Sequence, residues 1–409
     1  MKNLEKKAKA YALKNAISYK GEAKPGFVIS SLFNEGLKKS EVKKYSKKIS
    51  DIVKEVNSLS IEEQKKEFEN LGKEVSKRKV REGLPELPNV SKKGVIMRFA
   101  PSASGPLHIG HVMTSSLSFL YVKKYGGKFY VRVEDTNPEN IYKPAYKMIE
   151  EESKWLFDNK AKIIIQSSRM EIYYKYIEKL IKSKSSYVCT CSPKGFEKFS
   201  SSKSNCPCRN LSVKENFERW KKMLDKTSKG FKQGDAVLRF KSLDGMQSKN
   251  PAMRDFPLAR INLTKHPLQK SKYKVWPLMN LSVTVDDIET KVTHIIRAKD
   301  HRDNAKKQEM IYKVLKKKFP WTSFLGRFKF KDFELSTTKI RKEIEQGKYS
   351  GWDDKKLPTV SSLKKQGYKP ISFFKFAEQI GLSESDKVMD RKEYFTLLES
   401  FNKTKTFLK

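Results

Sequence analysis

The sequence predicts an α/β protein: a Rossmann-type parallel-sheet domain, interrupted by a cysteine-bearing insertion and flanked by an N-terminal helical extension and a C-terminal helical region. Three observations predict it. Strand-like and helix-like stretches alternate from about residue 93 to 185 and again from Trp276 to Arg297. Alternation of that kind builds a parallel sheet with ligands at the carboxyl ends of its strands. All four cysteines fall in the segment between those two runs, and both ends of the chain carry helical spacing instead.

At 409 residues the chain has room for roughly two to four domains. Hydrophobic residues make up 37% and charged residues 33%, so the surface is very charged. No apolar run approaches ~18 residues, and no membrane span is expected. Met1-Lys2-Asn3-Leu4-Glu5-Lys6-Lys7 lacks the apolar core of a secretory signal, so a cytoplasmic location is expected. Lys and Arg total 87 against 47 acids, a formal charge of +40. That balance favours a polyanionic partner such as a nucleic acid, through phosphate neutralisation and counterion release. The competing reading is a lysine-rich surface with no particular partner, and the lysines are indeed scattered.

Residues 1–90 read as a helical extension. Leu4, Ala8, Tyr11, Ala12 and Ala16 recur at helical spacing, as do Ile49, Ile52, Val53 and Val56. Ser60-Ile61-Glu62-Glu63 has the form of a capping box. Gly83-Leu84-Pro85 and Leu87-Pro88 mark a linker. Residues 91–185 form the first half of the parallel-sheet domain. It has a buried strand at Val95–Phe99, a helix to Tyr125 ended by Gly126-Gly127, and a second strand at 128–133. Amphipathic helices follow at Tyr146–Phe157 and Glu171–Ile181. Residues 186–270 break the rhythm and read as an insertion. Residues 271–330 return to the sheet with Trp276 to Val285 and Thr293 to Arg297, and 331–409 form a helical, loop-rich end.

The richest stretch is Pro106-Leu107-His108-Ile109-Gly110-His111-Val112-Met113. A strand, a tight turn and then a helix opening with two histidines three apart offers free backbone N–H groups and a positive dipole end to a nucleotide phosphate. Such a pair taken alone also fits a solvated helix face. Glu134-Asp135 closes the second strand before an Asn-Pro turn, a place at the ligand crevice; the plainer reading is an Asx-type turn with a solvated Glu. Cys189-Thr190-Cys191 and Cys206-Pro207-Cys208 are separated by fourteen residues. Four thiolates in two close pairs suit a tetrahedral structural Zn²⁺. An unmetallated reduced set or an iron–sulfur site is the alternative. Lys184, Lys194, Lys198, Lys203 and Arg209 surround the cysteines as a basic rim able to touch phosphates.

The run Arg98-Phe99-Ala100-Pro101-Ser102-Ala103-Ser104-Gly105-Pro106-Leu107-His108-Ile109-Gly110-His111 resembles the first signature of class I glutamyl-tRNA synthetases of the archaeal type. The resemblance continues in Arg132-Val133-Glu134-Asp135-Thr136-Asn137-Pro138 and in Val285-Asp286-Asp287. It reappears in Val292-Thr293-His294-Ile295-Ile296-Arg297-Ala298-Lys299-Asp300-His301, and in the string from Gly347 to Thr359. Phe333-Glu334-Leu335-Ser336-Thr337-Thr338-Lys339-Ile340-Arg341 resembles the mobile second signature, with Glu334 and Thr337 in place of its lysines.

The resemblance implies a division of roles. Glu134 receives the substrate ammonium, Arg98 and Ser102 belong to the amino-acid pocket, and Arg297 faces the substrate side chain. The related glutaminyl enzymes usually carry cysteine where Arg297 stands. A buried cation there favours a γ-carboxylate over a neutral amide. His108, Gly110 and His111 meet the phosphates of ATP, which Mg²⁺ accompanies, Asp300 lies near the nucleotide, and Lys339 or Arg341, in the loop with Ser336, supplies the phosphate-facing charge. The cysteines hold zinc in an insertion that receives the tRNA acceptor end. The implied reaction is activation of L-glutamate to glutamyl-adenylate, then transfer to the 3′ end of tRNA-Glu, with tRNA-Gln as a further acceptor left open. A Ser-His-Asp arrangement finds little support among five histidines. The family normally continues into two anticodon-reading β-barrels. Their absence implies a separate anticodon-binding polypeptide, a shortened chain, or an enzyme that ignores the anticodon. It also keeps open a paralogue glutamylating a modified tRNA base and a non-catalytic tRNA-binding subunit.

Overall fold

The computed structural model describes residues 2–75 and 83–403, and the chain divides into two compact units, Met1–Arg81 and Glu82–Lys409. The described residues of the first unit form α1 (Lys2–Ser18), α2 (Pro25–Phe33), α3 (Val42–Asn57) and α4 (Ile61–Leu71). The apolar stripe of α1, Ala8, Tyr11, Ala12 and Ala16, is buried against Val28, Leu32, Ile49, Val53 and Val56. Pro25 opens α2, where a missing N–H leaves nothing unsatisfied. Ser60 and Glu63 form the reciprocal cap of α4 read from their spacing, with bonds of 2.7 and 3.3 Å. The buried Gln64 amide donates to the carbonyls of Gly21, Val56 and Leu59, tying α4 to α3 and to the turn after α1.

The second unit begins with β1 (Val95–Phe99), α5 (Ile109–Tyr125), β2 (Gly127–Val133), α6 (Ala145–Leu156), β3 (Ala161–Ile165) and α7 (Met170–Lys182). The three strands are adjacent and parallel. Gly126 and Gly127 have φ of +75° and +119°, and a Cβ on Gly127 would lie 2.0 Å from the Val95 carbonyl oxygen. Glycine is therefore required where the chain reverses to set β2 beside β1. Strand β3 was not read from the sequence; its Lys-Ile-Ile-Ile core is a short β-branched run between two helices.

The insertion holds β4 (Ser186–Cys189), α8 (Pro193–Ser201), α9 (Val213–Leu224), β5 (Val237–Phe240), β6 (Pro257–Ile261) and β7 (Val275–Pro277). Its four strands make an antiparallel sheet in chain order. Trp276 therefore belongs to this sheet and not to the returning parallel one. The sheet runs on to Pro277 because β7 completes the edge beside β6.

The chain returns through α10 (Met279–Glu289), β8 (His294–Ala298), α11 (Arg302–Val314) and β9 (Trp321–Leu325), with β8 and β9 parallel. It ends with β10 (Phe328–Phe330), α12 (Thr337–Glu345), α13 (Val360–Lys365), α14 (Pro370–Ile380), β11 (Lys387–Met389) and α15 (Arg391–Asn402). Just before β8, the Thr293 N–H donates to the Ile96 carbonyl and the Ile96 N–H donates to Thr293 Oγ1, each at 2.9 Å. That pairing sets β8 beside β1. The strand order is then β3-β2-β1-β8-β9: the chain adds β2 and β3 on one side of β1 and β8 and β9 on the other, and such a switch in strand order opens a crevice outside the strand ends. Among the described residues no helix is long and apolar enough to cross a membrane.

Candidate active site

Helix α5 starts where the two histidines stand. His108 is its cap: Nδ1 accepts from the Gly110 N–H at 3.1 Å, while His111 Nδ1 accepts from the His108 N–H at 3.4 Å. The rings stack with centroids 3.8 Å apart. This corrects the expectation of free N–H groups at the helix start. The Ile109 N–H goes to the Pro358 carbonyl, and the His111 and Val112 N–H groups go to the His108 carbonyl. The histidines satisfy the helix terminus themselves, so it presents side chains and the dipole to the cleft, not open amides. Burial, with His111 beside it, holds His108 well below its ordinary pKa, and burial lowers His111 to about 4. Both rings are neutral with Nδ1 occupied, so each offers an Nε2–H donor.

Both rings, Gly110, Met113 and Thr114 line a cleft of about 760 Å³ whose opposite wall is Ala298, Leu325 to Phe328 and Phe333 to Leu335. The resembling second signature thus reaches the histidine cleft through Glu334 and Leu335. Ser336 caps α12, its side chain accepting from the Lys339 N–H at 3.4 Å. The Lys339 ammonium is exposed and paired with Glu334 at 2.9 Å, outside the cleft lining. Arg341 stacks over Tyr142. Asp300 is paired through both carboxylate oxygens with Arg327, at 2.7 and 2.9 Å.

The loop below the histidines is clamped from beneath. Buried Glu152 of α6 accepts from the Leu107 N–H at 2.6 Å and the Ser361 N–H at 3.2 Å. Burial raises its carboxyl to about 8.

A charged cluster lies at the ends of β1, β2 and β8. Arg98 makes a two-bond pair with Asp287, at 3.2 and 3.3 Å. This is the neighbour salt bridge that any strand-end arginine invites, so the paired edge of Arg98 faces protein. Arg132, which the sequence reading gave no role, is fully buried and bonds Asp287 at 2.5 Å and Glu134 at 3.3 Å. A cation at an inward strand position was its signal in the sequence. Burial opposes ionisation of Asp287, but Arg98 and Arg132 outweigh it and hold the carboxyl below its ordinary range. Burial raises the Glu134 carboxyl, with Arg132, Arg98 and Arg297 opposing. The backbones of Ser102 and Glu134 lie bridged side by side.

Arg297 differs from the other arginines of the cluster. It is 7% exposed, and Nη1 donates to the neutral Gln308 side chain at 2.8 Å. Its buried Nε has no hydrogen-bond partner among the described residues. Burial, then repulsion from Arg98, lowers it to about 10, with the carboxylates of Asp287 and Glu134 opposing. His301 sits in the same field: burial, then Arg297 and Arg98, take it to about 4. Arg297 itself does not line the histidine cleft; its neighbour Ala298 does.

The four cysteine sulfurs converge in the insertion. All lie within 4.8 Å of one another, with Cys189–Cys206 and Cys191–Cys208 each at 3.9 Å. Tetrahedral thiolates around a metal at ≈2.3 Å have edges of roughly 3.8 Å, so the set fits. Arg219 Nη1 points at Cys208 Sγ from 3.3 Å. Of the basic rim, Lys184, Lys194, Lys198 and Lys203 are exposed. Arg209 is not part of it: Nε bonds the buried Asp255 at 2.8 Å, because that carboxylate needs a partner in the insertion core.

Residues 94–405 match the family of tRNA synthetases class I (E and Q), catalytic domain. The chain is 41% identical over 384 residues to a glutamate–tRNA ligase of Methanocaldococcus jannaschii, covering 94% of this chain and 68% of that protein. It is 42% identical over 389 residues to one from Methanothermobacter marburgensis, covering 95% and 69%. Its fold resembles the crystal structure of a glutamate tRNA ligase from Elizabethkingia meningosepticum in complex with its amino acid. There the TM-score is 0.51 at 20% identity, over 76% of this chain and 69% of that one. A match of this extent includes the strand reversal, both histidines and Arg297, and the chain belongs to the class I tRNA synthetases of the E and Q type.

Proposed function

We propose that this chain is a glutamate–tRNA ligase whose amino-acid pocket is the charged cluster at the ends of β1, β2 and β8. The observation that carries this reading is Arg297: a buried guanidinium whose described partner is a neutral amide and whose Nε is unpaired. A buried charge left in that state is costly unless a ligand supplies the counter-charge. A side-chain carboxylate does so and a carboxamide does not. Glu134, facing three guanidiniums, takes the substrate ammonium, and Ser102 borders it. Arg98 acts mainly by fixing Asp287.

In the first step a glutamate α-carboxylate oxygen attacks the α-phosphorus of ATP, the bond to the β-phosphate oxygen breaks, and pyrophosphate leaves. In the second a terminal ribose hydroxyl of tRNA-Glu attacks the acyl carbon and AMP leaves. Neutral His108 and His111 donate Nε2–H bonds to charge building on the transferring phosphoryl group. Asp300 acts on the nucleotide side through Arg327, which lines the cleft, Ser336 by capping α12, and Lys339 serves once it leaves Glu334. The four cysteines would hold Zn²⁺, which supplies a rigid cross-link for an insertion that receives the acceptor end. The surplus of basic residues suits the tRNA backbone.

Glutamate-dependent ATP–pyrophosphate exchange, with and without tRNA, tests the reading together with ester formation on tRNA ends. Exchange and ester formation are expected. Exchange without an ester would favour modification of a tRNA base, and no exchange in either condition would favour a binding subunit.

A further inference from the structure

His266 is wholly buried, far along the chain from the histidine cleft, and the mechanism above does not use it. It stands in the tight loop between β6 and β7, closed by backbone bonds between His266 and Lys270 at 2.8 and 3.1 Å. Its ring stacks on Trp276 at 4.8 Å. Nδ1 accepts two backbone N–H groups, from Leu268 and Gln269, each at 3.1 Å. An acceptor on Nδ1 places the proton on Nε2. Nε2 lies 3.0 Å from the carbonyl oxygen of Asp135, the residue after Glu134.

Asp135 is itself immobilised. Its carboxylate accepts from the Ser167 N–H and hydroxyl and from the Tyr146 hydroxyl, at 2.7 to 2.8 Å. Further ties run from the insertion to the same loop. Arg260 donates to Asn137 and Glu139, and Asn262 donates to Glu139, at 3.0 to 3.2 Å. The backbone that carries Glu134 out of β2 is therefore bonded on one side to the parallel sheet and on the other to the insertion.

We propose that His266 is a positioning residue that makes the amino-acid pocket depend on the insertion: its Nε2–H holds the Asp135 carbonyl and thereby sets where the Glu134 carboxylate stands. This rests on the reading of Glu134 as the ammonium-binding group. Displacement of a binding carboxylate by about an ångström is enough to weaken binding of a small substrate by an order of magnitude or more.

Two substitutions separate the ring's two jobs. His266→Asn keeps an acceptor near Nδ1 for the 268–269 turn but has no atom reaching Asp135. His266→Gln keeps a donor near Nε2 and loses the turn acceptor. In ATP–pyrophosphate exchange, H266N is expected to raise the KM for glutamate roughly tenfold with the KM for ATP unchanged. H266Q is expected to stay within about twofold of the parent chain. A structural role alone would predict the reverse order, or equal losses in every parameter, and either result overturns the proposal.

Arg260→Met cuts the neighbouring tie at a half-exposed side chain. It is expected to raise the glutamate KM by about two- to threefold, and it decides the matter if H266N does not fold: an unchanged KM then overturns the proposal. Glu134→Gln distinguishes the underlying reading. If E134Q leaves the glutamate KM unchanged, the pocket assignment fails; if E134Q raises it and H266N does not, only the role of His266 fails.

Discussion

Arg98 and Asp287 meet through two parallel bonds, Nε at 3.2 Å and Nη2 at 3.3 Å, although 189 residues separate them in the chain. The pair joins β1 to α10 on either side of the insertion, and Arg132 completes it from β2. The charges of this cluster thus also join the parallel sheet's two halves.

Asp287→Asn removes the anion shared by two buried guanidiniums. Breaking such a group leaves uncompensated charge, a loss of about 3–5 kcal/mol. A urea or thermal melt of D287N is expected to show that loss. A variant as stable as the parent chain would mean the pair carries no net energy.

Arg297→Gln is expected to lower kcat/KM for glutamate roughly a hundredfold to a thousandfold, as the loss of a desolvated counter-charge does. The KM for ATP stays unchanged. Exchange kinetics measure both. An equal fall for both substrates would place Arg297 in the scaffold and not in the pocket.

The proposed role of the two imidazoles is that of neutral donors. His111 titrates at about 4, below its ordinary 6.5, and His108 is shifted the same way. The exchange rate is therefore expected to show no step near 6.5, and a step there that disappears in His111→Asn would contradict the geometry. The sign for stability follows: a base with a depressed folded pKa contributes fully above 6.5, and that contribution is lost as pH falls towards 4.

Glu152 gives the opposite slope. Its folded pKa is about 8 against an ordinary 4.5. Its stabilising contribution is complete below 4.5 and is lost as pH rises through 8. Glu152→Gln removes the titration, so the fall in Tm across that range is expected to be shallower than in the parent chain. Parallel melting curves at several pH values read it directly.

The cysteine set predicts about one bound Zn²⁺ per chain by elemental analysis. A structural zinc supplies on the order of 10 kcal/mol of folding energy to its module. Chelation, or Cys206→Ser, is expected to expose 186–277 to trypsin and to reduce ester formation more than exchange. Full metal content in C206S would show that the four sulfurs do not act as one site.

Much was legible in the residue order. The strand–helix alternation, the Gly126-Gly127 reversal and the capping box at Ser60 are local, and local chemistry decides them. The cysteine pairs were legible because spacing brings two sulfurs close before any folding. Strand β3 and the true edge of the insertion were not, since a five-residue apolar run and a three-residue strand acquire their identity from a partner strand. Arg209 looked like a surface cation because its partner Asp255 is 46 residues away.

By itself the sequence determined the fold class, the family signatures and which side chains carry charge, since these depend on periodicity and on residue type. Only the tertiary structure decided which of those charges are already spent. It pairs Arg98 with Asp287, Lys339 with Glu334 and Asp300 with Arg327, closes the α5 amides onto His108 and Pro358, and leaves Arg297 beside a neutral amide. Pairing depends on distance between segments remote in the chain, and burial sets what an unpaired charge costs. Neither is written in the order of the residues.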